Sequence, residues 1–389
     1  MAAGTVNTLK AAPDELSASK SLGIPSVLLA ASKQNPRNCS INLLQRSKLP
    51  CALTAAMRLA VLLLAVATTD ALLNSLKRLV RRKPQQPQHA SATAFGAFKD
   101  FLAEQQKVMC NAVEALDGTS SFGEDAWTRG DGSHGLTRVI ADGALVEKGC
   151  ISTSYIQGTL TKARAEAMCS RGRENVKAGD RFEAAALSLV LHAKSPHVPT
   201  LRGDARCFVV FDENDEPREA WYGGGCDLTP CYVVEDDIRG FHAHWRDVCK
   251  GRYQDMKQTC DGYFYLPLRQ EHRGVGGVFW DDDASADADA LARRVLETMI
   301  GSWAPIVARR RNEQVAEAQR QWQLLRRGRY LEFNLLNDRG VRFGLSPDAI
   351  ERIMVSAPPL IAWQYKAEPA VGSPEARLVD VLRKPRSWA

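Results

Sequence analysis

The sequence contains no C-x-x-C pair, although it has ten cysteines. Zinc modules and thioredoxin-like redox sites need that spacing, so both are excluded, and the thiols read as mostly buried side chains of a reducing compartment. No Walker loop is present, because "GGGCDLTP" carries no Lys-Ser/Thr after its glycines. A dinucleotide fingerprint is missing as well: in "RGVGGVF" Phe279 stands where the third glycine belongs, and no helix opens there. The net charge of +6 is mild and draws heavily on the N-terminal region. No dense basic stripe with interleaved aromatics supports nucleic-acid binding. From residue 93 onward no segment approaches the length needed to span a membrane.

Residues 1–92 differ in character from the rest and read as a targeting leader and linker. Arg58 precedes an apolar run, Leu59 to Ala67, with small residues near Ala71. That is a signal-like pattern over 57–71. Residues 72–92 are basic, lack acids and end rich in Gln, Pro and Ser, as a transit segment does. The tandem order suits a protein sent to a complex plastid, with mitochondrion or cytoplasm as alternatives and Met57 as a second possible start. A buried or interfacial helix followed by a tail is the plainer alternative.

Residues 93–389 read as one α+β domain, with an antiparallel sheet flanked by helices. "AFKDFLAEQQKVMCNAVEALDG" has helical spacing and stops at Asp117-Gly118. Hairpins are expected around Asp142-Gly143, at the acidic turn closed by Pro217, and at Asn337 to Gly340 in "RYLEFNLLNDRGVRFGL". "FEAAALSLVLHAKSP" changes from helix-like to strand-like, "RGVGGVFWDDD" approaches a strand, and residues 286–326 are mainly helical. Strands joined by hairpins favour an antiparallel sheet over a doubly wound one.

The most informative stretch is "AWYGGGCDLTPCYV". A glycine triplet is ordinarily a turn or bulge. Here Gly223, Gly224 and Gly225 offer bare backbone on which a flat ligand could lie. Asp227 can accept hydrogen bonds from inward-pointing pyrrole N–H donors. Arg206, on the partner strand, and Arg326, Arg327 and Arg329 could bind peripheral carboxylates as planar forks. The plainer alternatives are a structural Arg206–Asp227 salt bridge and a solvated helix end at Arg326 to Arg329.

"AWYGGGCDLTPCY", "EHRGVGGVFWDD", "LLRRGRYLEFNLLNDRGVRFGL" and "IMVSAPPLIAWQY" occur in one order. With "DGSHGLTRVIADGALVEKG" they resemble oxygen-dependent coproporphyrinogen III oxidases, as a divergent plastid-type member, from about Phe95 to Ala389. The resemblance implies oxidative decarboxylation of coproporphyrinogen III to protoporphyrinogen IX in heme and chlorophyll biosynthesis. It implies a large, flat, mainly antiparallel sheet flanked by helices on both faces, O2 as co-substrate, no organic cofactor, no metal, and a homodimer. By the same resemblance Asp227 holds the pyrrole N–H groups and Arg206 a propionate. Ser188, the backbone of Asp204 and Ala205, and Gly223 to Gly225 make further substrate contacts.

The sequence also departs from that family. Where the family reads His-x-Asn-x-Arg, this chain has Arg202-Gly203-Asp204-Ala205-Arg206. Arg202 cannot exchange protons near neutral pH, so it offers charge without general acid chemistry. Asp204 adds negative charge. Leu268 replaces a common histidine, His192 and His242 are two of four histidines sometimes assigned to a metal, and the 346–352 loop is shortened. Three readings follow: an active oxidase with a modified proton relay, an impaired paralogue acting as a tetrapyrrole-binding or structural subunit of a plastid complex, or an enzyme for another polycarboxylate.

Overall fold

The computed structural model describes residues 92–389 apart from 345, 346 and 348. The signal-like and transit-like segments lie outside the described residues, except for Ala92. Ser346 and Asp348 of the shortened loop lie outside them as well.

The chain enters through helix α1 (Ala92–Asp117). Six strands follow in hairpin succession: β1 (Gly123–Thr128), β2 (His134–Ala141), β3 (Val146–Thr159), β4 (Arg181–Ala193), β5 (Thr200–Phe211) and β6 (Pro217–Thr229). Only helix α2 (Lys162–Cys169) interrupts them, between β3 and β4. Helices α3 (Glu235–Cys249) and α4 (Tyr253–Tyr263) lead to a small β7–β8 pair (Tyr265–Leu266, Glu271–His272). Strand β9 (Gly277–Asp283) then completes a seven-stranded antiparallel sheet of order β1-β2-β3-β4-β5-β6-β9. The remaining helices are α5 (Ala288–Arg310), α6 (Glu317–Leu336), α7 (Arg339–Gly344), α8 (Ile350–Met354) and α9 (Pro374–Arg383).

Turn chemistry accounts for the hairpins. Asp142 and Asp215 both adopt positive φ, which Asp tolerates in tight turns better than most side chains. Alternation then sorts each strand. On β4, Leu187, Leu189 and Leu191 are fully buried, in the main core with Phe98 and Val113 of α1 and Met299 of α5. On β5, the space above Gly203 is filled by the Met299 thioether, where a Cβ would lie 2.3 Å from the sulfur. That face of the sheet is closed by helices.

Two sequence expectations are corrected. "FEAAALSLVLHA" is strand throughout. Its Glu and Ala residues favour helix in isolation, but pairing on both sides and the leucine alternation override that preference. "RYLEFNLLNDRGVRFGL" is not a hairpin: α6 runs through to Leu336 and α7 follows. Tyr330, Phe333 and Asn334 are buried at helical spacing, so this segment gives one stripe to the protein and the other to solvent.

Candidate active site

The second face of the sheet carries the candidate site. Opposite the leucines, β4 presents Ala184, Ala186 and Ser188, and Ser188 is exposed although it sits in the fourth strand of seven. Across the ladder Ser188 lies level with Ser152 on β3 and Asp204 on β5, and Asp204 lies level with Gly225 on β6. These small residues make a flat floor. At one end Phe208 stacks between Phe182 and Trp221, with ring centroids 5.0 and 4.8 Å away, and Met168 of α2 packs in the same cluster. The guanidiniums of Arg164 and Arg173 lie over this cluster, 4.5 Å from the Phe182 ring and 4.8 Å from that of Trp221. At the other end stand Phe264, Phe333 and Tyr330. The result is an open trough between two aromatic walls. Ser152 Oγ is buried beside the floor without a hydrogen-bond partner among the described residues.

A line of ionised side chains runs along β5. Arg202, Asp204 and Arg206 share one face of the strand, level with Asp227, Gly225 and Gly223. The buried Asp204 carboxylate joins the two arginines, 2.7 Å from Arg202 and 2.5 Å from Arg206. Arg206 also pairs with Asp281 at 3.0 Å. Asp227 is fully buried and held by Arg273, whose Nη2 donates to both carboxylate oxygens at 2.7 and 2.8 Å. Arg273 in turn is boxed by Phe264, Tyr330 and Phe333, with centroids 4.0, 4.6 and 4.8 Å away. Arg202 lies 5.4 Å from the same Phe264 ring.

Electrostatics follow from these pairings. Burial works against the charge on Arg202 but is outweighed by Asp204 and then Asp227, so the guanidinium holds its proton more firmly than usual. Burial alone would raise Asp281. Arg206, then Arg171 and Arg339, outweigh it and hold that carboxyl below its usual range. Its neighbour Asp282 is pushed up, by burial first and by Asp281 second. Burial also lifts the Tyr330 phenol to about 12.

The glycine triplet serves more than one purpose. A Cβ at Gly223 would lie 2.8 Å from Asp281 Oδ1 and 2.9 Å from Arg206 Nη2, so bare backbone here makes room for that ion pair. A Cβ at Gly225 would meet the Phe279 ring at 2.9 Å. Gly224 faces the other way: its Cβ would meet the Asp204 carbonyl oxygen at 2.5 Å and Trp280 at 2.8 Å. Ala205 likewise turns its methyl into the main core. Neighbouring backbone and side chains therefore crowd the triplet, and the flat surface open to a ligand lies beside it, over Ala186 and Ser188.

Other expected residues are placed differently from the sequence reading. Arg326, Arg327 and Arg329 lie within α6, so they form no solvated helix end. Arg326 pairs with Glu271 at 2.8 Å, Arg327 with Glu147 at 2.6 Å and Arg329 with Glu332 at 2.9 Å. The suggested Arg206–Asp227 salt bridge is replaced by two separate pairings, with Asp281 and with Arg273. Leu268 is 82% exposed and does not obstruct the trough. His192 bonds Thr200 and the Ser356 carbonyl, whereas His242 bonds Tyr253 and the Val275 carbonyl. The two rings occupy separate surroundings, each with both nitrogens engaged.

Arg273 and Asp281 are the residues that sequence reasoning missed. Both lie in "EHRGVGGVFWDD", whose strand character was legible although its partner was not. Register along β6–β9 jumps between Tyr222 and Gly224, where Asp281 and Asp282 together oppose Gly223. Asp282 takes positive φ in this bulge, which turns Asp281 over the glycine toward Arg206.

Among the described residues no helix is long and apolar enough to cross a membrane. The family model described as coproporphyrinogen III oxidase matches residues 97–388, from α1 to the end of the chain, and so includes every element of the trough.

Proposed function

Because the chain belongs to the coproporphyrinogen III oxidase family, with a role in porphyrin biosynthesis, we propose that it oxidatively decarboxylates coproporphyrinogen III to protoporphyrinogen IX with O2. The observation that carries this reading is the open trough over Ser188: a flat floor between aromatic walls, with arginines at its rim. Such a surface suits a disc whose edge bears carboxylates.

Each of two propionates would lose its carboxyl as CO2 and gain a double bond, while the two electrons released reduce O2. The balance for one side chain is –CH2CH2COO⁻ + O2 + H⁺ → –CH=CH2 + CO2 + H2O2. Arg206 would grip a propionate. Asp227 is 1% exposed and paired with Arg273, so it would meet a pyrrole N–H only once that pair opened, and would then stabilise positive charge developing on the ring. Arg202 contributes positive charge only. The proton consumed would reach the peroxide from solvent through the open side of the trough. By the leader and resemblance readings, the protein would act as a plastid homodimer.

Purified protein incubated aerobically with coproporphyrinogen III should form product that fluoresces as protoporphyrin after oxidation. A yield no higher than that of a boiled control would remove the proposal.

A second reading has a specific observation behind it. Arg202, Asp204 and Arg206 are already paired among themselves, as a relative that binds a tetrapyrrole without turnover could tolerate. Tight coproporphyrin binding combined with absent turnover would favour that reading.

A further inference from the structure

We infer that Asp281 is a placeholder carboxylate, occupying in the empty protein the position where a carboxylate of the ligand docks, and so setting affinity and specificity for polyanionic tetrapyrroles. This inference rests on the reading of the trough as a tetrapyrrole site.

Three arginines from three separate elements converge on Asp281. Arg206 of β5 lies 3.0 Å away, Arg171 just after α2 lies 3.2 Å away, and Arg339 at the start of α7 lies 3.4 Å away. One carboxylate beneath three guanidiniums is a poor structural bargain for a folded chain, because a single ion pair would suffice to neutralise Asp281. It is the arrangement expected of a site built to hold an anion. Within ion-pair distance, Arg171, Arg173, Arg202, Arg206 and Arg339 meet Asp204, Asp281 and Asp282, while Asp227 and Asp338 act on Arg202 from further away.

Access separates this cluster from the other charged pair of the site. The Arg273–Asp227 side chains are 1% exposed, whereas Asp281 is 20% and Arg206, Arg171 and Arg339 are 32%, 35% and 44% exposed. A ligand carboxylate can therefore reach the guanidiniums around Asp281 without opening the core.

The backbone explains how one side chain can be lent to this position. Asp281 stands on the β9 bulge and swings over Gly223, where only a residue without Cβ leaves room. Arg339 also lies 4.9 Å from the partly buried Tyr263 ring, which stacks on the buried Phe279 at 4.4 Å, so one aromatic edge adjoins the cluster. An incoming carboxylate must compete with Asp281 for the same donors. A ligand offering several carboxylates on one rigid frame would succeed where a single carboxylate fails.

The test uses coproporphyrin, the stable oxidised tetracarboxylate, and its uncharged tetramethyl ester as fluorescence-titration probes, with citrate protection against heat as a tetrapyrrole-free probe. Asp281→Asn should bind coproporphyrin at least tenfold more tightly than the unaltered protein and the ester equally well. Asp281→Glu, which keeps the charge, should stay within about twofold of the unaltered protein. Equal or weaker coproporphyrin binding by Asp281→Asn, with no gain of citrate protection, overturns the inference. If neither protein binds coproporphyrin but Asp281→Asn gains citrate protection, the tetrapyrrole reading falls and the placeholder stands. Should Asp281→Asn fail to fold, Arg171→Gln at the rim serves instead. It should weaken coproporphyrin and citrate binding at least threefold without affecting the ester, and unchanged binding of both anions overturns the inference.

Discussion

Arg273 holds Asp227 through a single nitrogen shared between both carboxylate oxygens, in a pocket where each side chain is 1% exposed. Breaking such a pair leaves a bare charge in the interior, which typically costs about 3–5 kcal/mol. Asp227→Asn should therefore lower stability to urea by about that amount. The double variant Asp227→Asn, Arg273→Met should recover more than half of the loss, because neither charge is then stranded. Equal losses in the single and double variants would show that the pairing is not what matters.

Arg202 stands level with Asp227 across the β5–β6 ladder. Arg202→His would place a group that titrates between about pH 5 and 8 beside the trough. Product formation from coproporphyrinogen III is expected to rise, and the pH–rate profile to gain a limb in that interval. Initial rates measured from pH 5.5 to 8.5 on both proteins decide it, and identical profiles would refute a proton-transfer role at this position.

The glycine triplet divides into two effects. At Gly224 an added methyl meets backbone that cannot retreat, so Gly224→Ala should cost about 1–3 kcal/mol or more of stability. At Gly223 it meets the ends of two movable side chains, so Gly223→Ala should fold nearly normally and lose ligand binding instead. Urea midpoints together with coproporphyrin titrations separate the two. The reverse ranking in stability would refute the assignment of faces.

Burial depresses His192 and His242 to about 3 from 6.5, so each ring is neutral when folded and binds a proton on unfolding at moderate acidity. Between those values the unfolded chain carries the extra protons, so stability rises with pH and the contribution is complete above about 6.5. Moving from pH 6.5 to 5 should cost about 2 kcal/mol for each histidine, at roughly 1.4 kcal/mol per pH unit. His242→Gln should make this dependence visibly shallower in urea titrations at the two pH values. An unchanged slope would exclude His242 as a contributor.

The parts of the sheet that were legible in the sequence are those made by local signals. The Asp142-Gly143 and Pro217 turns, with two-residue alternation on either side, define hairpins, and the second hairpin by itself brings Arg206 beside Gly223. "FEAAALS" misleads because alanine reports helix propensity, whereas here it reports a floor kept low beneath the trough. The Asn337–Gly340 turn signal likewise stands between two helices rather than two strands. Arg273 and Asp281 could not be assigned to their partners, because β9 reaches β6 only after two helices and through a bulge. Neither the return path nor the bulge leaves a periodic trace.

That late return has a consequence for the growing polypeptide. Strands β1 to β6 leave the ribosome first and can pair as successive hairpins, carrying Arg206 and Asp227 with them. Asp204 already pairs with Arg206 inside β5, but the second partner of Arg206 and the partner of Asp227 arrive only with the segment from Arg273 to Asp283. A nascent chain halted before that point would hold a nearly complete sheet whose chemical centre is electrically unfinished. Closing the last edge of the sheet and completing the site are thus a single event in biogenesis.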